Sequence, residues 1–339
     1  MVRAGLRRRV QGFADCVSAS RPLPDASGRA VALTLCQPTG LRTALVWEKK
    51  ADMTQPILAR VRRLTVGLAP LLLWSLASPA AGDDITLAAH RAIYEMALAG
   101  ARGGSGVTNV SGRMVYELTG SACEGYTQNM RFVTQMVNQG GATVLTDLRS
   151  YSWEEGSGKR FRFSSSQYRD EKATEITAGD AARTNAADDV KVELTKPAKK
   201  DLLLPSRVHF PVQHSIALLK AAAAGKTSFR ADLFDGSEKG EKVYDTVSMI
   251  GQRKPPGANR ALHPVKDAER LDALAAWPVS IGYFEPGSDN ADQVPVYELA
   301  FLFFENGVSR KLYIDYGEFA LTGVLKEIQF YAPAKCSPK

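Results

Sequence analysis

Residues 111–133 read SGRMVYELTGSACEGYTQNMRFV, and the period of the stretch is two. Met114, Tyr116 and Leu118 alternate with Arg113, Val115 and Glu117. Beyond a turn at Gly120-Ser121, Tyr126, Met130 and Phe132 alternate with Thr127, Asn129 and Arg131. Alternating side chains face opposite sides of an extended backbone, so the stretch predicts two strands joined by a turn. The pattern continues outward. Gly140-Gly141 turns the chain again, Thr143 to Trp153 is a third strand, and Gly156-Ser157-Gly158 leads into a fourth at Lys159–Ser165. Strands punctuated by glycine turns every ten residues or so describe an antiparallel meander. Gly156-Ser157-Gly158-Lys159 imitates a phosphate loop, but it has a strand on each side and Glu154 and Glu155 beside it. It reads as a hairpin tip with solvated carboxylates.

On the amino-terminal side, LAAHRAIYEMALAGA (87–101) alternates at Tyr94, Met96 and Leu98 as an edge strand would, and also fits a short helix. GARGGSGVTN (100–109) is a flexible turn without the Lys-Ser/Thr of a Walker loop. On the other side, Asp180–Asp189 reads as a loop, Val190, Val192 and Leu194 as a strand, and Lys196–Asp201 as a turn. PVQHSIALLKAAAAG (211–225) is the principal helix, predicted over Pro211–Ala224. Proline suits its first turn and Gly225 its C′ position. Val212, Ile216, Leu218, Leu219 and four alanines cover nearly the whole circumference, and a helix apolar all round is a buried one. Among strands it would plug or line a barrel. His214, alone at the helix start, reads as a capping or core residue rather than a ligand.

The remaining chain returns to strands: Ser228–Phe234, Val243–Ile250, a segment around Val279, Ile281 and Tyr283, Val294–Phe304, Leu312–Tyr316 and Gly323–Tyr331. Asp232, Asp235, Glu238 and Glu241 miss the spacing of a calcium loop and are expected at a solvated hairpin tip. Asn306-Gly307 signals a type I′ hairpin. Val294–Phe304 is apolar on both faces, so it is either covered on both sides or turns one face to a lipid-like cavity. The candidate cavity or core residues are therefore Val212, Ile216, Leu219, Phe301 and Phe303.

Upstream, LTVGLAPLLLWSLASPAAG (64–82) follows Arg60, Arg62 and Arg63. A charged start, a short apolar run and a small-residue end have the layout of a secretory signal, with Met53 well placed to begin it. The apolar run is shorter than the roughly 20 residues a bilayer-spanning helix needs. The expected organisation is an upstream extension over 1–52, foreign to the rest, a signal peptide over 53–82, and one β domain over 83–339 exported to the periplasm. The net charge of +7 is concentrated upstream: residues 1–82 carry twelve Lys/Arg against four Asp/Glu, leaving the remainder at −1. That near-neutral remainder has no basic stripe for nucleic acid. Cys123 and Cys336 alone remain after the signal; in an exported chain two cysteines commonly pair, with two separate thiols as the alternative.

No catalytic constellation stands out. The histidines His90, His209, His214 and His263 lack HExxH spacing, no G-x-S-x-G elbow occurs, and no CxxC or clustered histidine suggests a metal. No catalytic residue, metal ligand or cofactor is assigned.

Taken together, HRAIYEMAL, the 111–133 strands, DLRSYSWEEGSGKRFRFSS, HSIALLKAAAAGKTSF, DLFDGSEKGEKVYDTVSMIG and FYAPAKC resemble the EipB family of periplasmic envelope-integrity proteins of alphaproteobacteria. The resemblance spans residues 83–339; the 1–52 leader departs from it. It implies a mainly β fold, an antiparallel spiral or broken β-barrel with an internal cavity, and a disulfide carried by Cys123 and Cys336. It further implies a non-enzymatic role in envelope integrity, with a lipid or lipoprotein ligand and a periplasmic helical-repeat protein as partners. The rival expectation is a hydrolase or transferase acting on envelope polymers, which would need polar groups converging in a cleft.

Overall fold

The meander read from residues 111–165 is part of a longer one. In the computed structural model, which describes residues 85–258, 265–287 and 293–332, eight strands follow one another. They are β1 (His90–Ala101), β2 (Val107–Ser121), β3 (Gly125–Asn138), β4 (Thr143–Glu154), β5 (Arg160–Arg169), β6 (Lys172–Ala182), β7 (Val190–Lys196) and β8 (Lys200–Leu204). Helix α1 (Pro211–Ala223) comes next. Six more strands run back: β9 (Ser228–Leu233), β10 (Tyr244–Ile250), β11 (Ala276–Phe284), β12 (Tyr297–Phe304), β13 (Ser309–Asp315) and β14 (Phe319–Phe330), with a four-residue helix α2 (Glu269–Asp272) before β11. The extension 1–52, the signal segment 53–82 and Cys336 lie outside the described residues.

All fourteen strands form one sheet in the order β8-β7-β6-β5-β4-β3-β2-β1-β14-β13-β12-β11-β10-β9. Its centre is the pairing of the first and last strands, running from His90 opposite Phe330 to Ala101 opposite Phe319. The stretch at 87–101 is thus a strand, as its period of two suggests, but a central one. It is paired on both sides, with Ala92, Tyr94 and Met96 buried.

The two edges, β8 and β9, are neighbours in sequence but do not pair, so the sheet curls without closing its ladder. A strap from Pro205 to Phe210 lies across the opening. On one side His209 bridges β9: its N–H donates to the Asp232 carbonyl at 2.8 Å, and its carbonyl accepts from the Phe234 N–H at 3.0 Å. On the other side Arg183, just past β6, donates to the Ser206 and Val208 carbonyls, both at 2.6 Å. Phe161 and Phe163 of β5, Val190, Val192 and Leu194 of β7, and Phe210 and Phe234 make an apolar cluster beneath the strap. Hydrophobic burial therefore joins the ends that the sheet's own ladder leaves apart, and the strap covers part of the β9 edge that would otherwise offer unpaired groups to other chains.

Three expectations change here. The segment after β9 is a solvated tip only in part: Glu238 and Glu241 are exposed, but Asp235, Gly236 and Gly240 are turned inward. Gly236 and Gly240 approach Phe163 so closely that an added Cβ would lie 2.3 and 3.2 Å from its ring, and Gly236 has φ 75°. Asp235 is half-buried, desolvation raises its carboxyl, and its Oδ1 accepts from the Ser237 N–H at 2.9 Å. Second, Asp180 belongs to β6 rather than a loop; its cross-strand neighbour Arg162 pairs with it at 2.7 Å, which lets a carboxylate sit on an exposed strand face. Third, the Asn306-Gly307 turn is not type I′. Only Gly307 has positive φ (85°), and the bonds Gly307 N–H to Phe304 O and Phe304 N–H to Val308 O describe a type I turn ending in a glycine bulge.

Candidate ligand-binding interior

Helix α1 organises the inside of the curl. Pro211 occupies its first turn and Gly225 (φ 73°) follows its end, as the sequence suggests. The residue at its N-cap is Phe210, which has no side-chain acceptor to offer. Exposed helix amides need a partner from elsewhere, and the partner is Glu154 at the end of β4. Its two carboxylate oxygens accept from the Val212 and Gln213 N–H groups at 2.7 and 2.9 Å. Glu154 has no solvent exposure at all, so the reading of a solvated tip holds for Glu155, which pairs with Arg160, and fails for Glu154. Burial pushes its carboxyl up to about 8, against the opposing pull of the two amides and Arg183. The sequence signal for this residue was indirect: a helix beginning Phe-Pro without Ser, Thr, Asp or Asn requires a distant cap.

The five residues named from the sequence come together. Val212, Leu219 and Phe303 are buried in one apolar cluster with Leu218, Tyr244, Ile250, Trp277, Val279, Ile281 and Tyr283, and Ile216 and Phe301 pack against it half-buried. α1 therefore seals the β9–β12 side of the curl, and Leu118 of β2 and Tyr126 of β3 join the same cluster. His214 belongs to the same contact. The Thr246 hydroxyl donates to the Ala231 carbonyl at 2.7 Å, so it accepts from His214 Nε2–H at 2.9 Å. Desolvation lowers His214 to about 4, and it stays neutral near pH 7. It is a core residue.

The middle of the opposite wall, away from the buried Leu118, Tyr126, Phe161 and Phe163, is different. The faces of β2–β5 that carry Tyr116 and Glu154 also carry Gln128, Met130, Phe132, Leu148, Ser150 and Ser165, all half-buried. Gln128 Nε2 donates to the Tyr116 hydroxyl at 2.8 Å, Ser152 Oγ donates to Gln128 Oε1 at 3.3 Å, and the Thr134 and Thr146 hydroxyls meet at 2.6 Å. This wall mixes apolar and hydrogen-bonding groups and keeps access to solvent. On its reverse side Arg131 and Arg149 share Asp147 at 2.9 and 2.7 Å, and both guanidiniums hold its carboxyl below the usual range.

Among the described residues, no three His, Cys, Asp or Glu side chains gather as a metal site, and no helix is long and apolar enough to cross a membrane. Cys123 sits in the β2–β3 turn and is disulfide-bonded, its sulfur 3.1 Å from Ser121 Oγ.

Comparison with known proteins follows the same outline. The EipB-like family matches residues 81–332. The cell envelope integrity protein EipB of Brucella abortus (strain 2308) is 34% identical over 255 residues, which cover 75% of this chain and 88% of that protein. A crystal structure of a β-barrel-like protein from Brucella abortus, described as a domain of unknown function, superimposes with a TM-score of 0.65 at 33% identity, covering 73% of this chain and 99% of that one. The shared β-barrel-like fold and a family match that runs through all fourteen strands lead to one assignment: the chain belongs to the EipB-like family.

Proposed function

We propose that this protein is an exported, non-enzymatic component that maintains cell-envelope integrity by holding a lipophilic ligand or a periplasmic protein partner in or on its incomplete barrel. The carrying observation is the unequal filling of the curl: α1 packs the β9–β12 side, while the inner wall of β2–β5 keeps an accessible mixture of Met130, Phe132 and Leu148 with Gln128, Ser150 and Ser165. Ligand sites combine such apolar lining with a few orienting polar groups. The Brucella relative, named for cell envelope integrity, supports the physiological side of the reading.

The hydrolase alternative has one group in its favour, the buried carboxyl of Glu154 with its raised pKa, a property of catalytic acids. Both of its oxygens are engaged by α1 and neither reaches solvent, which suits a cap better than a proton donor to substrate. Native mass spectrometry of protein recovered from the periplasm should show a bound lipid or a stoichiometric protein partner. N-terminal sequencing of that material should begin at Ala81 or Asp83, and cells lacking the protein should be sensitive to envelope-directed detergents. Turnover of an envelope polymer by the purified chain would overturn the reading, as would recovery of residues from 1–52 for the export part of it.

A further inference from the structure

The outer face of β10–β13, away from the interior already described, carries a groove of about 610 Å³. Its floor follows from register. Met249, Ser280 and Ala300 lie side by side across three strands, and Pro278 stands beside Leu302 in the next row. Small side chains at Ser280 and Ala300 leave the depression, and Met249 and Pro278 supply exposed apolar surface. Among the described residues, the only charged ones lining it are Lys254 and Lys311. Among the described residues Lys200, Lys242, Lys266 and Lys326 have ion-pair partners, whereas Lys254 and Lys311 have none.

What distinguishes Lys311 is its backbone. The β12–β13 register slips between Ala300 and Leu302, and within that bulge Lys311 takes φ 55°, the left-handed region that favours glycine. Bulges re-aim side chains, and strained non-glycine residues concentrate at binding sites. Here the bulge brings an unpaired ammonium to the rim of an apolar groove whose volume lies in the range of small-molecule sites.

We propose that this groove binds a single anionic lipid, the acyl chain on the Met249, Pro278 and Ala300 floor and the negatively charged head between Lys254 and Lys311. Charge complementarity selects the occupant: an apolar trough lined by two lysines and, among the described residues, by no carboxylate favours an amphiphile with an anionic head over a neutral or cationic one. The proposal deepens the lipophilic half of the function proposed above by giving it a site and a charge, and it rests on that half.

The test uses the exported chain and cis-parinaric acid, a fluorescent long-chain carboxylate. It should bind saturably, be displaced by dodecyl phosphate, and not be displaced by dodecyltrimethylammonium. Lys254→Glu and Lys311→Glu should each weaken binding about tenfold, the scale of one charge-assisted contact. Ala300→Phe should fill the trough and abolish binding. Lys311→Gly is the decisive variant: it should weaken binding while raising the melting temperature, because glycine relieves the backbone strain, so loss of binding cannot be loss of fold. Unchanged affinity in these variants, or equal displacement by the cationic surfactant, overturns the groove. Parinarate bound but insensitive to groove changes, and sensitive instead to Met130→Asp on the inner wall, overturns the groove while leaving the lipophilic reading standing. No parinarate binding, with no lipid in the native mass spectrum, overturns both.

Discussion

The two arms of the sheet are built from similar alternating strands and are filled differently. β9–β12 bury their inner face against α1, with Trp277, Val279, Ile281 and Tyr283 alternating inward and Phe303 behind them. β2–β5 turn an equally regular alternation toward the same interior, but place Gln128, Ser150 and Ser165 among the apolar residues and leave them half-buried. The difference shows that a sheet of one topology supports a packed side and an open side when a single helix, too small to fill the curl, is fastened against one of them. The fastening is long-range and polar: Glu154 on the open arm holds the amides of the helix that seals the other.

The sharpest way to break this comparison is to place a charge on each side. Leu219→Asp puts a carboxylate where there is no water and should cost on the order of 4 kcal/mol, enough to unfold much of the protein. Met130→Asp, on the accessible wall, should cost about 1 kcal/mol or less. Equal losses in urea denaturation would remove the distinction between the arms.

Next in size is the cross-link. The proposed pairing of Cys123 with Cys336 would close a loop of roughly 210 residues, and Cys123→Ser should then cost about 2–4 kcal/mol. Cys336→Ser should match it and the double variant should add little, since both remove one bond. Two free thiols in exported protein would refute the pairing.

Glu154→Ala should come next, at about 2 kcal/mol, because it strands two helix amides in a buried site. If the cap is what ties the arms together, the loss should appear as increased hydrogen exchange in α1 and in the strap at 205–210, with the outer face of β2–β5 unaffected.

The remaining test is of pH dependence. The Glu154 carboxyl is raised from 4.5 to about 8 in the folded protein, so between those values the folded state holds a proton that the unfolded chain has released. Its contribution is full below about pH 4.5 and is lost as pH rises through 8; Asp235, also raised, acts in the same sense. His214, lowered from 6.5 to about 4, acts oppositely and destabilises the fold as pH falls through that window. The melting temperature should therefore rise from pH 9 to about 6.5, change little down to about 4.5 as the two offset, and fall below. Glu154→Gln should flatten the alkaline limb and turn the plateau between about pH 6.5 and 4.5 into a fall, because His214 then loses its main opposing group. Melting curves of the two proteins across pH 4–9 decide this.

Much of the fold was legible because local chemistry and tertiary demand agree. Period two from Ser111 to Ser165 needs only the pleat to become strands, and Pro211 and Gly225 mark helix ends through their own backbone preferences. The apolar circumference of α1 announced burial, and Val212, Leu219 and Phe303 are buried. Reading failed where a residue's role depends on something distant in sequence. Glu154 and Asp235 look like turn carboxylates because turns usually carry them in solvent, yet each meets buried surface supplied by a segment tens of residues away.

By itself, then, the sequence determined which residues extend, which coil into the one long helix, and which faces are apolar, since these depend on side-chain period and backbone stereochemistry along a few residues. The tertiary structure alone decided that the first and last strands pair at the centre, that β8 and β9 stay apart under a strap, that α1 seals one arm and leaves the middle of the other open, and that Lys311, in a bulge, lines the same groove as Lys254. Each of these is a choice between surfaces of similar local character. It is made by the long-range packing that buries the most apolar area while leaving few polar groups unsatisfied, a sum over the whole chain that no short stretch contains.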